Sequence, residues 1–192
     1  MNYKMIGRFI GHILLVEAVF MLPALAISLF CKEDKSSRAF LLSLCIILVV
    51  AAVLLLLGKG CRKGFQAREG LVCVGISWIV MSVLGCMPFY LSSEIPNYID
   101  ALFETVSGFT TTGASILANV EELSKGTLYW RSFTHWLGGM GVLVFVLAIG
   151  TVSDRSNGFT MHLLRAESPG PKVGKLVPKM KETAKILYLI YI

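Results

Sequence analysis

Charged residues are scarce in this sequence. Only 16% of its 192 residues are Asp, Glu, Lys or Arg, whereas a typical soluble domain has about 25%. Hydrophobic residues make up 55%, and the mean hydropathy is +0.72. They collect in blocks close to the roughly 20 residues that a helix needs to cross a bilayer. This composition excludes an ordinary soluble enzyme and a disordered chain, and it predicts an all-α membrane protein.

The sequence also lacks the motifs of covalent and metal chemistry. Its five cysteines form no CxxC pair and no His/Cys cluster at metal-ligand spacing, which favours free, inert thiols. It contains no Ser/His/Asp set, no phosphate loop and no paired-carboxylate cleft. The run Gly138-Gly139-Met140-Gly141 lacks the third glycine of a dinucleotide fingerprint and instead favours close helix packing. We expect no enzyme activity and no covalently bound cofactor.

Four apolar blocks are long enough to span a membrane: 9–30, 39–57, 71–91 and about 134–152. A fifth begins near Ile186 and reaches Ile192 after too few residues to cross, so we expect the sequence to stop inside a helix. The first block contains His12 and Glu17. We expect Glu17 to have a structural partner and both side chains to lie near the inner interface. A cleaved signal peptide is disfavoured, because the block is too long and Glu17 interrupts it.

Lys and Arg are distributed unevenly between the connections. They dominate 58–69 and the stretch after Val152, whereas 92–126 is acidic. Because Lys and Arg are retained on the cytoplasmic side, this pattern predicts a cytoplasmic N-terminus and an external 92–126 segment. It also explains the net charge of +6 without nucleic-acid binding. The loop with Lys32, Lys35 and Arg38 is assigned outside although it is basic.

Residues 97–115 are too polar and too few to cross. Asn97 is a suitable N-cap, and the apolar spacing predicts a helix over 98–109, about 18 Å long. Ile99, Phe103 and their neighbours form an apolar face. Asp100 and Glu104 line another face, and we expect them to concentrate cations in an outer vestibule. A helix of this length fits a segment that enters from outside and stops halfway.

A Thr-Gly segment follows this helix. Carbonyls of Thr110, Thr111, Thr112 and Gly113 are predicted to replace the hydration shell of a cation, with Gly113 at positive φ. Irregular backbone survives at membrane depth where protein buries it or where it lines a watery cavity. A Thr- and Gly-rich surface loop is the alternative interpretation. The order span, half-helix, Thr-Gly segment, span favours a filter over 110–114.

Three separated motifs carry a family resemblance. The run FETVSGFTTTGAS at 103–115 resembles the first pore loop of the Trk/Ktr/HKT superfamily of potassium transporters. The run WRSFTHWLGGMG at 130–141 resembles the helix after that loop. Residues 164–171 and 183–187 are similar to a cytoplasmic connection of the TrkH-type branch. Two extra N-terminal spans also suit that branch.

The resemblance implies potassium uptake through four linked, non-identical repeats, each giving one filter strand in which a glycine, here Gly113, favours potassium. It divides the chain into a transmembrane hairpin (1–57), a basic cytoplasmic loop (58–70), the first pore repeat (71–152), a cytoplasmic connection (153–185) and the start of another helix (186–192). Gly108, Glu104 and Arg131 support the pore. We expect Arg131 to pair with a carboxylate such as Glu104, because a free cation above the filter would repel potassium.

The resemblance further implies a multi-pass protein of a bacterial inner membrane. Its expected partners are the remaining repeats, a second copy in a homodimer, and a cytosolic nucleotide-binding regulatory subunit. Two alternatives stay open. One is a homotetrameric cation channel built from a single repeat, and the other is a non-conducting membrane module.

Overall fold

The computed structural model describes residues 3–59 and 67–139. These residues form six α-helices and one short 3-10 helix: α1 (Tyr3–Phe30), α2 (Asp34–Leu57), α3 (Ala67–Gly85), α4 (Met87–Leu91), α5 (Tyr98–Phe109), the 3-10 helix Val120–Glu122, and α6 (Lys125–Gly139). Within the two described ranges there is no strand. The all-α prediction is confirmed.

Three stretches are long and apolar enough to cross a membrane: α1, α2, and α3 together with α4 over 72–91. The third is interrupted at Cys86, and Pro88 lies in the first turn of α4 rather than ending the span. A proline is tolerated there because the first-turn N–H groups have no intrahelical acceptor. The helix predicted from Thr134 begins earlier, at Lys125. Residues 140–152, 153–185 and 186–192, to which predictions were also attached, lie outside the described residues.

Helix α1 is the centre of the core. Its buried residues Ile13, Leu14 and Met21 belong to the same apolar cluster as Phe40 and Ile47 of α2. The opposite sides of α1 and α2 are apolar and exposed, as expected for helix faces that meet lipid. The two helices form an antiparallel hairpin that provides one wall for the later elements.

The ends of the helices sort into two groups. At one end, a Cβ on Gly58 would lie 2.6 Å from the Arg8 Cβ and 2.9 Å from the Lys4 carbonyl, so the start of α1 adjoins the end of α2. At the other end, the Glu33 carboxylate accepts from the backbone N–H of Lys125 (2.8 Å) and of Gly126 (3.3 Å). The basic 32–38 loop therefore shares one end of the molecule with the acidic 92–126 stretch.

Candidate functional site

The start of α5 has the cap that the sequence predicts. The Asn97 side chain accepts a hydrogen bond from the Ile99 N–H at 3.1 Å, with its own backbone extended. Next to the cap, the Tyr98 hydroxyl donates to the Val83 carbonyl of α3 at 3.3 Å. Burial raises the pKa of Tyr98 to about 12, so this phenol keeps the proton that it donates. The helix is thus fixed in position at its first residue.

The end of α5 turns directly into the Thr-Gly segment. The Thr111 N–H donates to the Gly108 carbonyl at 2.9 Å, and the Thr112 N–H donates to the Ser107 carbonyl at 3.0 Å. This pair of bonds is a Schellman motif, which requires left-handed backbone just beyond the helix. Thr111 occupies that position at φ +55°. A β-branched residue is rarely found there, so the surrounding bonds must hold it.

The backbone φ angles of this segment alternate between negative and positive values. φ is −84° at Thr110, +55° at Thr111 and +75° at Gly113, whereas Thr112 is not among the positive-φ residues. In a trans peptide the carbonyl points opposite to the following N–H. Because the N–H groups of Thr111 and Thr112 point back at α5, the carbonyls of Thr110 and Thr111 point away from it. The predicted positive φ of Gly113 is present.

Two contacts give the depth of the α5 tip. A Cβ on Gly138 would lie 2.8 Å from the Phe109 carbonyl carbon, and one on Gly85 would lie 3.2 Å from the Phe109 ring. Gly138 is thirteen residues after Lys125, roughly 20 Å along α6, and Gly85 is six residues before Leu91, roughly 9 Å along the helix. The hydrocarbon core is about 30 Å thick. The tip of α5 therefore lies roughly 9 Å from Leu91 along one neighbouring helix and roughly 20 Å from Lys125 along the other.

A single carboxylate closes the loop that follows. Glu104 of α5 is buried and accepts from the Ser115 hydroxyl (3.1 Å to each oxygen), from the Ile116 N–H (3.1 Å) and from Arg131 Nε of α6 (2.5 Å). The expected ion pair between Arg131 and Glu104 is present. The expectation that Glu104 lines an open vestibule is wrong, because its oxygens are occupied by the loop and by Arg131.

Small residues let α5 and α6 approach closely. A Cβ on Gly108 would lie 3.0 Å from the Thr134 Cβ, and Gly138 leaves room for the backbone of Phe109. In addition, the Trp130 indole N–H donates to the Gly85 carbonyl at 2.9 Å, joining α6 to α3. Close packing is the role that the sequence predicts for Gly138. No local sequence pattern predicts the Trp130 contact.

The face that α5 buries is the polar one. Ala101, Glu104 and Gly108 are buried, whereas Ile99 and Phe103 on the apolar face are exposed. The segment 110–116 is exposed along its whole length. The structure thus brings the predicted filter residues and their supports Gly108, Glu104 and Arg131 together, and it leaves the carbonyl row uncovered by the described residues.

Neither prediction about Glu17 agrees with the structure. Glu17 lies at the fifteenth of the 28 positions of α1, against Gly85 rather than near a helix end. Both carboxylate oxygens are buried, and no described residue forms a hydrogen bond with them. His12 is exposed, with Nδ1 2.7 Å from the Arg8 carbonyl. The partner expected for Glu17 is therefore missing from the described part of the chain.

Side-chain metal ligands are not grouped in the described ranges: no set of three His, Cys, Asp or Glu residues there is suited to a metal ion. The four described cysteines, Cys31, Cys45, Cys73 and Cys86, are free thiols.

Comparison with known proteins identifies the family. The model of the TrkH family, described as cation transport protein, matches residues 36–192. The chain belongs to the TrkH family. The resemblance to the TrkH-type branch is therefore confirmed.

Individual relatives agree with this family. The chain is 36% identical to the Trk system potassium uptake protein TrkH of Halomonas elongata and 35% identical to TrkH of Escherichia coli K12, in each case over 100% of this chain and 39% of the relative. It is 31% identical to an uncharacterized cation transporter of Methanocaldococcus jannaschii, over 95% of this chain. The crystal structure of the potassium transporter TrkH from Vibrio parahaemolyticus matches with a TM-score of 0.69 and 29% identity, covering 100% of this chain and 37% of that one. The chain spans about two fifths of the length of these TrkH relatives.

Proposed function

We propose that this chain supplies the first repeat of a potassium uptake pore and that Thr110, Thr111, Thr112 and Gly113 form one strand of its selectivity filter. The repeat corresponds to 71–152, α5 is its pore helix and 110–114 is the filter segment. The observation that carries the proposal is the alternation of φ in this segment at the carboxyl end of the short helix α5. Its TrkH relatives are named as potassium uptake proteins.

The geometry supports this role through the direction of the peptide groups. Amides that donate into the end of α5 leave the carbonyls of Thr110 and Thr111 on the exposed side. Carbonyl oxygens in this position replace the water around a dehydrating cation. The α5 carbonyl end points at the same place, where its partial negative charge favours a cation. One strand surrounds an ion on one side only, so the pore requires further repeats.

The supporting residues hold this strand in place. Glu104 ties Ser115 and Ile116 to α5 and neutralises Arg131, which keeps an unpaired positive charge away from the ion path. Gly108 allows α6 to lie directly behind the strand. A filter must keep its spacing while ions pass. The Glu104 contacts and the close approach of α6 at Gly108, which we call the Glu104 clamp, hold the strand within a single repeat.

The first test is potassium uptake by the complete open reading frame that contains this chain, in a strain without its own uptake systems. We expect growth at low potassium, and we expect Gly113→Asp to abolish growth and rubidium uptake while the protein stays in the membrane. Failure of the unmodified gene would overturn the potassium assignment. Wild-type uptake by Gly113→Asp would remove Gly113 from the filter.

A matched glycine pair tests the backbone conformation itself. A Cβ on Gly113 or on Gly75 meets nothing within 4 Å, but only Gly113 has positive φ. Left-handed backbone costs a non-glycine residue roughly 1–2 kcal/mol, so Gly113→Ala should weaken uptake or potassium-over-sodium preference. Gly75→Ala, in α3, should leave both unchanged. Equal behaviour of the two variants would show that the conformation at Gly113 does not matter for transport.

We propose an inner-membrane location with the N-terminus in the cytoplasm, on the basis of the Lys and Arg counts. Native cysteines allow a direct test. Cys31 is exposed beside the loop that carries Glu33, and Cys61 lies in the basic 58–69 segment. A membrane-impermeant maleimide added outside intact spheroplasts should label the Cys61→Ser variant and not the Cys31→Ser variant. The reverse result would invert the topology.

Two partners are proposed from the family resemblance: a second copy of the protein and a cytosolic nucleotide-binding regulatory subunit. Cross-linking in membranes is expected to give a dimer of the complete protein, and rubidium uptake is expected to depend on the regulatory subunit. A purely monomeric protein, or uptake that ignores the subunit, would contradict the respective proposal. Because its TrkH relatives are named as potassium uptake proteins, a homotetramer of single repeats and a non-conducting module are not favoured.

A further inference from the structure

Glu17 is a buried acid at the meeting point of four helices. Its side chain is 0% exposed, and no described residue forms a hydrogen bond with either oxygen. A Cβ on Gly85 would lie 2.7 Å from Glu17 Oε1, 3.2 Å from the Phe109 ring and 3.4 Å from the Thr105 methyl group. The Gly85 carbonyl accepts from Trp130 of α6. Glu17 thus lies directly behind the tip of α5.

Among the described residues, none donates a hydrogen bond that would compensate a negative charge on Glu17. Isolated carboxylates are very unfavourable in an apolar interior, and such a group becomes neutral instead. A cation would need several oxygen ligands, and the neighbours of Glu17 at Gly85 are an aromatic ring and a methyl group. A proton is the one cationic ligand that requires no further space.

Other titratable or charged groups on the packed elements face elsewhere or are already paired. On α6, Arg131 pairs with Glu104 of α5, and His135 Nδ1 lies 3.1 Å from the Arg131 carbonyl. On α5, Asp100 belongs to the first turn, far from the tip. On α3 and α4, the described titratable groups are Cys73, Cys86 and the exposed Tyr90. The Cys86 thiol lies near enough to Glu17 to interact with its charge, and Cys86 Sγ donates to the Val83 carbonyl at 3.2 Å. On α2, Cys45 is exposed, and the remaining charged groups are at the helix ends.

We propose that Glu17 is a proton-binding site in the membrane interior and that the bound proton holds the back of α5 in the conducting arrangement. Loss of this proton would place a charge against Gly85 and the Phe109 ring, and Phe109 directly precedes Thr110. The carboxylate would draw in water or move away from the α5 tip, and either change displaces the carbonyls of Thr110 and Thr111. The site makes uptake dependent on pH. The pH dependence of uptake rests on the proposed function, whereas proton binding by Glu17 does not.

Infrared spectroscopy of the complete protein in membranes tests proton binding without transport. The wild type should show a protonated-carboxyl band at neutral pH that Glu17→Gln lacks and that the exposed-acid variant Glu122→Gln keeps. An identical band in Glu17→Gln would overturn the proposal. If Glu17→Gln does not accumulate in the membrane, the wild type alone provides the test. Absence of a protonated-carboxyl band at neutral pH would overturn the site. Loss of that band at higher pH, in step with the loss of uptake, would support it.

Rubidium uptake as a function of pH tests the consequence. Above the transition, the protonated fraction falls about tenfold per pH unit, so uptake by the wild type and by Glu122→Gln should fall in the same proportion. Glu17→Gln, which cannot ionise, should keep its neutral-pH rate across the range. Equal pH profiles for wild type and Glu17→Gln would refute the regulation. An inactive wild type would instead refute the proposed function, with the infrared result unaffected.

Discussion

The α1–α2 hairpin and the α5–α6 region are held together by different forces. Contacts within the hairpin are mainly apolar, between residues such as Leu14, Phe40 and Ile47. Between α5 and α6, an ion pair, hydrogen bonds to loop backbone and two close glycine contacts fix the arrangement. Apolar packing tolerates exchange of similar side chains, whereas a buried charge leaves its partner uncompensated when it is removed.

The contrast follows from what each region must hold. Spanning helices satisfy their own backbone hydrogen bonds, so the hairpin needs only side chains that fit. The segment 110–116 has no regular structure, and its backbone depends on Ser107, Glu104 and the end of α5. Among the described residues, the polar contacts that hold the backbone are therefore concentrated where the chain is irregular. The following substitutions test that division, in order of decreasing expected effect.

Glu104→Gln should destabilise the protein by about 3 kcal/mol, because it leaves Arg131 partly buried without its counter-charge. Thermal unfolding of the complete protein in detergent measures the loss, and rubidium uptake should fall with it. Glu122→Gln is the matched control: its carboxylate is exposed and accepts from Asn119 Nδ2, so we expect a change within about 0.5 kcal/mol. Equal unfolding temperatures for the two variants would show that the Glu104 clamp does not stabilise the protein.

Gly138→Ala should cost about 2 kcal/mol, because the new methyl group meets the backbone of Phe109 and forces α6 away from α5. Gly75→Ala adds a methyl group to open space in α3 and should be neutral or slightly stabilising. Both are measured by thermal unfolding. A neutral Gly138→Ala would mean that the two helices are further apart than the structure places them.

Asn97→Ala should cost about 1 kcal/mol, since it removes the side chain that accepts from the Ile99 N–H at the start of α5. The comparison is Asn119→Ala, which removes the same type of cap from a 3-10 helix of only three residues. We expect a smaller loss there, since few contacts depend on so short an element. A larger loss of stability from Asn119→Ala than from Asn97→Ala would contradict this prediction.

Neighbouring isoleucines in α2 test the hairpin. Ile47 is fully buried and Ile46 is 37% exposed. Ile47→Val should cost somewhat less than 1 kcal/mol through a small cavity, and Ile46→Val only a few tenths. If both cost the same, the hairpin interface would have to lie on a different face of α2.

Local signals explain most of what the sequence predicts correctly. The apolar blocks indicate the spans, and Asn97 followed by regular apolar spacing indicates α5. Hydropathy does not predict that α6 begins as early as Lys125, because 125–133 includes Lys125 and Arg131 and is not uniformly apolar. Its first turn is capped by Glu33, whose carboxylate comes from more than 90 residues away in the chain. Hydropathy contains no information about such a contact.

The sequence alone determined the membrane class, the family motifs and the Thr-Gly segment, since length, hydropathy and local spacing are properties of the chain itself. Tertiary structure decided which face of α5 is buried, that Glu104 closes the loop with Arg131, and that Glu17 has no described partner. These depend on which distant residues meet. A carboxylate in a sequence has the same chemistry at every position, and only its neighbours decide whether it is paired, hydrated or left to bind a proton.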